Sequence, residues 1–328
     1  MEKKMQDGMR ITGTGSALPD RKVMNAELAA VVETSDEWIR ERTGIGQRHI
    51  STGETVVSLA VEAALAALEQ AQKTAAEVDL ILLATCSPEA LLPCSACQVQ
   101  AQLGAVNALA FDLNAACSGF LFALATANAY LQTGTYRNAL VIGSEVLSKL
   151  IDWTDRTTCI LFGDGAGAVF LESGGSGLLG SALHSDGGKG QVLACRERSL
   201  QNPYYQEEAM EACHVQMNGQ EVYRFATRQV PVCIGEAVEA AGLSVDDIDL
   251  FVLHQANVRI IDAVAKRLGA DRSKFPTNLE RVGNMSSASI PVLLDELNRA
   301  GRLHRGDRVV LAGFGAGLTY GACVLAWC

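Results

Sequence analysis

The chain repeats itself, and that constrains its fold more than any other feature. Val78-Asp79-Leu80-Ile81-Leu82-Leu83 is matched by Ile248-Asp249-Leu250-Phe251-Val252-Leu253, 170 residues further on. Val141-Ile142-Gly143 matches Leu311-Ala312-Gly313 at the same offset, and Cys117 falls opposite Ser287. Each apolar run is short, continuous and bounded by polar or Gly residues, the pattern of a buried strand. A helical Ala/Glu/Leu-rich stretch precedes each, Ser58 to Ala71 in the first half and Val232 to Ala241 in the second. The order strand, helix, strand, helix in both halves predicts parallel α/β units with helices covering the sheets. Two halves are expected, 1–172 and 173–328. Each closes on a Gly-rich strand pair, Phe162 to Ala168 and Gly313 to Thr319, where Gly permits close backbone approach. Neither run reads as a phosphate loop, because neither has GxGxxG before a helix or a following Lys-Ser/Thr.

Composition narrows the class. Of 328 residues, 48% are hydrophobic and 20% charged, enough apolar content for a large core, which excludes disorder. A net charge of −10 argues against general nucleic-acid binding. Met1 to Arg10 is charged and lacks an apolar segment, so no secretory signal is expected. No apolar stretch nears the roughly 20 residues that span a bilayer. A cytoplasmic chain with reduced thiols is the better expectation for its ten cysteines. Most of these sit in apolar surroundings, as small buried hydrophobes do. Cys94-Ser95-Ala96-Cys97 has CxxC spacing but no second CxxC or His pair, so neither a metal nor a redox site is expected there. Between the halves, Ser173 to Gly180 is Gly/Ser-rich. Ser181 to Asn218 is polar and irregular, an excursion between or over the halves and a candidate to join the site.

Chemistry concentrates at three places. Leu109 to Leu113 reads as a strand, and Phe120, Leu124, Ala127 and Leu131 follow helical spacing, with Gly134 a fitting stop. Cys117 therefore sits at a strand-to-helix corner, where the helix dipole and free N–H groups favour a thiolate. The same N–H groups suit an oxyanion on an attached thioester. His254 directly follows the strand Leu250–Leu253, and strand C-terminal ends are where α/β sites collect. Asn284 opens the helix that mirrors the Cys117 helix. Singly, these residues read as a buried thiol, a structural His and a turn Asn. The duplication brings them together as a Cys/His/Asn constellation where the halves meet.

The motifs Asp36-Glu37-Trp38-Ile39, Arg42-Thr43-Gly44-Ile45, Asn114 to Phe120, Phe162 to Ala168, His254 to Ile260, Gly283 to Ser287 and Gly313 to Thr319 carry a resemblance over nearly the whole length. The chain resembles the β-ketoacyl-acyl-carrier-protein synthase III family of bacterial type II fatty acid synthesis. That resemblance implies a thiolase-like α/β fold of five layers, α-β-α-β-α, and a homodimer built through a continuous sheet. It implies a ping-pong condensation in which Cys117 takes a short acyl group from acyl-CoA. Malonyl-acyl carrier protein then loses CO₂, and the carbanion attacks the thioester. His254 and Asn284 would stabilise the enolate. Cys117 N–H and a backbone N–H of the Gly315-Ala316-Gly317 turn would hold the acyl oxyanion. Trp38 would lie near the adenine of CoA, with Arg42 and Arg156 at its nucleotide end. Asn257 would hold the pantetheine arm, Phe314 would gate the nucleophile, and Phe162 would line the substrate site. Leu92 matches a pocket position reaching across the dimer, which leaves straight and branched primers both open. Arg224, Arg259, Lys266 and Arg267 would steer the acidic carrier protein. No metal or organic redox cofactor is required. A secondary-metabolism relative with another acceptor is the runner-up. Type III polyketide synthases share Cys/His/Asn, but their usual flanking residues differ. An inactive partner subunit would be expected to have lost the Cys.

Overall fold

A computed structural model describes residues 8–175, 177–196, 199–206 and 214–328. Ser176, Cys213 and part of the excursion after Ser181 lie outside the described residues. Five strands form the first sheet, in the order Met9–Ala17, Gly165–Ser173, Asn138–Glu145, Leu80–Ala84, Leu109–Leu113. Four form the second, in the order Leu250–Leu253, Arg308–Gly315, Thr319–Ala326, Leu178–Ser185. Leu80–Ala84 is parallel to both Asn138–Glu145 and Leu109–Leu113, and Leu250–Leu253 is parallel to Arg308–Gly315.

Period-two alternation on these strands produces the layering. Leu80, Leu82 and Val141 face inward and share a core with Val252, Val309 and Leu311 of the second sheet. Between the sheets lie the helices Gly119–Gln132 and Ser289–Arg299, which explains why Gly119–Gln132 is apolar nearly all round. Ile81, Leu83 and Ile142 point the other way, into the helix Val56–Gln70. Phe251, Leu253 and Val310 face the helices Gly219–Ala240 and Val258–Leu268. The result is the expected five-layer α-β-α-β-α thiolase-like fold.

Two expectations shift. Among the described residues the second half has no strand opposite Leu109–Leu113; Leu279–Val282 is a short helix there, its apolar run broken by Glu280 and Arg281. The outer helix expected from Val232 begins instead at Gly219. Asn218 caps it by accepting from Glu221 N–H at 3.2 Å, and it runs through Pro231. Its inward stripe, Val222, Phe225, Ala226, Val230 and Ile234, is well spaced for a helix, but polar residues between them conceal the start. The halves also differ between their last two strands. Residues 146–164 fill that interval in the first half and residues 316–318 in the second. The longer interval delivers Arg156 and Phe162 to the site.

Candidate active site

The nucleophile corner is built twice. In the first half Asn114 Oδ1 accepts from Ala116 N–H at 3.1 Å, and Ala116 has φ +47°. In the second, Asn284 Oδ1 accepts from Ser286 N–H at 2.9 Å, and Ser286 has φ +47°. Each turn leads through a single 3₁₀ turn, Ala116–Ser118 or Ser286–Ala288, into a central helix. A positive φ at a non-glycine residue is uncommon and marks a corner the surroundings enforce. The first corner presents Cys117. The second presents the Asn284 side chain, whose carbonyl is occupied and whose amide N–H groups are left to donate.

Asn284 is held from both sides. Its backbone N–H donates to Leu161 O at 2.9 Å, and its backbone carbonyl accepts from Gly163 N–H at 2.9 Å. Its strand-like bridge to Phe162 thus crosses from one half to the other. His254 N–H donates to Ala312 O at 2.8 Å, fixing the residue beyond its strand. Its ring is buried and meets Phe314 edge-on, with centroids 5.5 Å apart. Burial pushes the imidazole down to about 3, so it is neutral at ordinary pH. Gly315 allows the last strand to approach the nucleophile: a Cβ there would lie 2.6 Å from Cys117 N.

Cys117, His254, Asn284 and Phe314 line one cavity of about 700 Å³, together with Arg42, Asn257, Arg259 and Gly315. A second cavity, of about 420 Å³, is lined by Cys86, Leu147, Leu150, Val215, Ser286, Ala316 and Gly317. Cys117 and Phe162 line both, so the thiol stands where the two meet. Among the described residues, no Lys, Arg, His, Asp or Glu lines the second cavity. One inference from the sequence is corrected. The helix start does not leave Cys117 with a low pKa; burial dominates and pushes the thiol up to about 12. A hydrogen bond from Ser286 and the residue's own N–H act against this, while the nearby Glu145 adds to it.

Trp38 follows an N-cap whose Ser35 hydroxyl accepts from Trp38 N–H at 3.1 Å. The Arg42 and Arg156 guanidinium carbons lie 4.4 and 4.9 Å from its ring centroid, so both arginines stack on the indole. Asn257 caps the helix Val258–Leu268 through Arg259 N–H at 2.9 Å and donates to Arg42 O at 3.0 Å. Leu92 is 86% exposed and lines neither cavity. Arg224, Arg259, Lys266 and Arg267 are exposed, but Arg224 pairs with Glu221 at 2.7 Å and Arg259 with Glu41 at 3.8 Å. Arg267 donates to Thr227 O at 2.9 Å.

Nothing along the chain marks Glu145 or Cys86 as site residues, and Ser286 stands out only as part of the Gly283 to Ser287 motif. Glu145 is fully buried and accepts from Thr85, Ser87 and Ser287 hydroxyls and from Cys86 N–H. Ser286 carried one unread signal, its offset of 170 residues from Ala116. The cysteines are less uniformly buried than expected, since Cys97, Cys195 and Cys328 are exposed. No group of three or more His, Cys, Asp or Glu placed to hold a metal occurs among the described residues.

A five-layer duplicated fold with a Cys, a neutral His and an Asn donor around one cavity defines a condensing enzyme of the thiolase fold. Family comparison agrees. The description "3-Oxoacyl-[acyl-carrier-protein (ACP)] synthase III" matches residues 111–187, and that of its C-terminal part matches 238–327. The Clostridium acetobutylicum β-ketoacyl-[acyl-carrier-protein] synthase III is 47% identical, over 98% of this chain and 99% of its own. The crystal structure of 3-oxoacyl-[acyl-carrier-protein] synthase III from Aquifex aeolicus VF5 is 40% identical, with a TM-score of 0.91 over 98% of this chain and 100% of that one. The priming β-ketosynthase of the R1128 polyketide pathway is 36% identical, with a TM-score of 0.93 over 100% of this chain and 98% of that one. The chain belongs to the β-ketoacyl-[acyl-carrier-protein] synthase III family, a family of condensing acyltransferases.

Proposed function

We propose that this enzyme condenses a short acyl-CoA primer, such as acetyl-CoA, with malonyl-acyl carrier protein to give 3-ketoacyl-carrier protein and start fatty acid synthesis. The observation that carries this reading is the placement of Cys117 at the meeting point of two cavities, with His254 and Asn284 around the larger one. Cys117 attacks the primer thioester and the acyl chain enters the second cavity, whose lining among the described residues is uncharged and suits a neutral acyl group. Cys117 N–H and the turn Gly315 to Gly317 hold the acyl oxyanion. After the carrier protein docks, the Asn284 amide and the neutral His254 donate to the malonyl thioester oxygen as CO₂ leaves. Preorganised donors aimed at developing charge supply the largest catalytic effect in such steps.

The stack of Arg42, Trp38 and Arg156 suits a nucleotide end, and Asn257 retains a second amide hydrogen for the pantetheine arm. Lys266 and Arg259 offer the carrier protein its first positive contacts, with Arg224 and Arg267 beside them. The halves 1–172 and 173–328 divide the work, the first bearing the nucleophile and the second both enolate donors. A homodimer forms through the open edge of Leu109–Leu113, bringing each Leu92 to the other copy. The reaction runs in the cytoplasm with no cofactor, metal or nucleic acid; no helix of the described residues is long and apolar enough to cross a membrane. Likeness to the R1128 priming synthase supports a second reading, the same chemistry with a secondary-metabolite acceptor.

The test mixes pure protein with acetyl-CoA and malonyl-carrier protein and follows Cys117 acylation by mass spectrometry and CO₂ release. Acylation at Cys117 followed by CO₂ release supports the proposal. Acylation with no turnover of malonyl-carrier protein favours the second reading, and no acylation by any acyl-CoA overturns both.

A further inference from the structure

The two donors assigned to the acyl oxyanion come from different halves, Cys117 N–H from the first and the Gly315 to Gly317 turn from the second. The chain does not join them directly, so something through space must set their spacing. Gly315 permits the approach, since a Cβ there would lie 2.6 Å from Cys117 N and 3.1 Å from Ser118 N. Beyond it, Ala316 to Leu318 link the last two strands, in which Gly315 stands opposite Thr319. Leu318 is anchored by backbone alone: its carbonyl accepts from Asp186 N–H at 2.7 Å, and its N–H donates to Asp186 O at 3.0 Å. Ala316 is anchored by a side chain.

That side chain is Thr319, which lines the second cavity. Its hydroxyl reaches Ala115 O at 2.9 Å and Ala316 O at 3.0 Å. Ser118, fully buried, donates to Thr319 Oγ1 at 2.7 Å and also reaches Ala115 O at 2.9 Å. With Ser118 donating over its shorter contact, the single Thr319 hydrogen is shared between the two carbonyls. With Ser118 turned to Ala115 O, the Thr319 hydrogen belongs to Ala316 O. In both arrangements the hydroxyl donor to Ala316 O is Thr319. Ala115 directly precedes Ala116, whose φ of +47° makes the nucleophile corner, and Ala316 is the middle residue of the turn. One hydroxyl therefore bridges the two pieces of backbone that carry the oxyanion donors.

Two carbonyl oxygens drawn to one point repel each other unless a donor lies between them. A planar peptide also carries its C=O and N–H on opposite sides, so turning one turns the other. A turn free to rotate presents a carbonyl oxygen where an N–H is needed, and repels an oxyanion. We propose that Thr319 is a positioning residue of the acylation step: its hydroxyl clamps the Ala316 and Ala115 carbonyls and keeps the turn N–H and Cys117 N–H converging on the acyl oxygen. The inference rests on the oxyanion role given to those N–H groups above. It leaves decarboxylation aside, because that charge forms beside His254 and Asn284.

The test compares Thr319→Val, which keeps the shape and loses the hydroxyl, with Thr319→Ser, which keeps the hydroxyl. Cys117 acetylation by acetyl-CoA and by p-nitrophenyl acetate is followed by mass spectrometry, beside its alkylation by iodoacetamide. Alkylation builds no charge on a carbonyl oxygen, so it reports the thiol without the oxyanion site. In Thr319→Val acetylation by both donors should fall by about 10- to 100-fold, less than the about 10²–10³ expected for removing a donor outright. The acetyl-CoA concentration giving half-maximal rate should barely move, alkylation should stay near wild type, and Thr319→Ser should recover acetylation to within a few-fold. Should Thr319→Val fail to fold, Thr319→Ala is read against Thr319→Ser in the same way. Wild-type acetylation in a folded variant lacking the hydroxyl overturns the proposal. Equal loss of acetylation and alkylation overturns it too, as does a serine variant as slow as the valine one. p-Nitrophenyl acetate needs neither CoA nor carrier protein, so a wild type that accepts it but refuses acetyl-CoA sinks the primer reading and still reports on Thr319.

Discussion

Replacing Asn284 by Asp separates two tasks of one side chain. The Asn284 carbonyl accepts from Ser286 N–H at 2.9 Å and so holds the corner, while its amide N–H₂ has no such structural bond. Aspartate keeps an oxygen in the corner and exchanges the donor for a second oxygen. The fold should therefore hold, with a melting temperature close to wild type. Decarboxylation should collapse. Losing one donor at a developing oxyanion costs about 10²–10³ in rate, and a carboxylate facing the enolate adds repulsion. Asn284→Ala loses both functions, so it should fall by about 10²–10³ in decarboxylation and lose about 1 kcal/mol of stability with the corner bond. The order expected for CO₂ release is wild type, then Ala, then Asp, whereas stability should rank Asp above Ala. Acylation of Cys117 should change only a few-fold in Asp, because its oxyanion forms beside Cys117 N and the Gly315 turn. The assay pairs labelled CO₂ release from malonyl-carrier protein with trapping of labelled acetyl on the protein. An Asp variant releasing CO₂ at a tenth of the wild-type rate or more would show that Asn284 is not an enolate donor.

Other expectations follow from the same geometry. Cys117→Ser should abolish condensation, since neutral His254 offers a hydroxyl no effective base; near-normal turnover in a coupled assay would refute this. Burial holds His254 at about 3 against an ordinary 6.5. Between these values the unfolded chain binds the proton and the folded one does not, so this residue makes stability fall by about 1.4 kcal/mol per pH unit on acidification. Urea midpoints at pH 7 and pH 5 should therefore draw closer together in His254→Gln than in wild type. Arg259→Glu should weaken the carrier-protein step and its salt dependence while sparing acyl-CoA loading, because rim charges act mainly on encounter; equal loss in both assays would place Arg259 in the CoA site. Each primer methylene buried in the second cavity is worth about 0.8 kcal/mol, so butyryl-CoA should load Cys117 several-fold faster than acetyl-CoA in direct competition. Loading that favours acetyl would mean the cavity is filled in the working enzyme.

Much of this molecule is legible from the sequence because the duplication acts as a ruler. Apolar runs 170 residues apart located the core strands, and the same offset set Cys117 opposite the corner that follows Asn284. Strand alternation and helix spacing are local properties, written residue by residue, so two α/β halves with helices covering their sheets could be expected before any coordinates; the five layers were implied by the family resemblance. The sequence also determined the chemistry of the donors, since a thiol, an imidazole and an amide have fixed repertoires. What it could not decide was their electrostatic state. A helix start argued for a reactive thiolate, yet Cys117 is pushed up to about 12 because desolvation depends on everything packed around it. Glu145, Cys86 and Ser286 meet through contacts spanning 59 to 200 residues of chain, and no periodicity encodes such a meeting. The pairing of Arg259 was hidden for the same reason, since Glu41 comes from a distant helix, whereas Arg224 pairs with Glu221 only three residues before it. Propensity and pattern act along the chain, whereas burial and charge act through space, and only the folded structure fixes which groups share the same few ångströms.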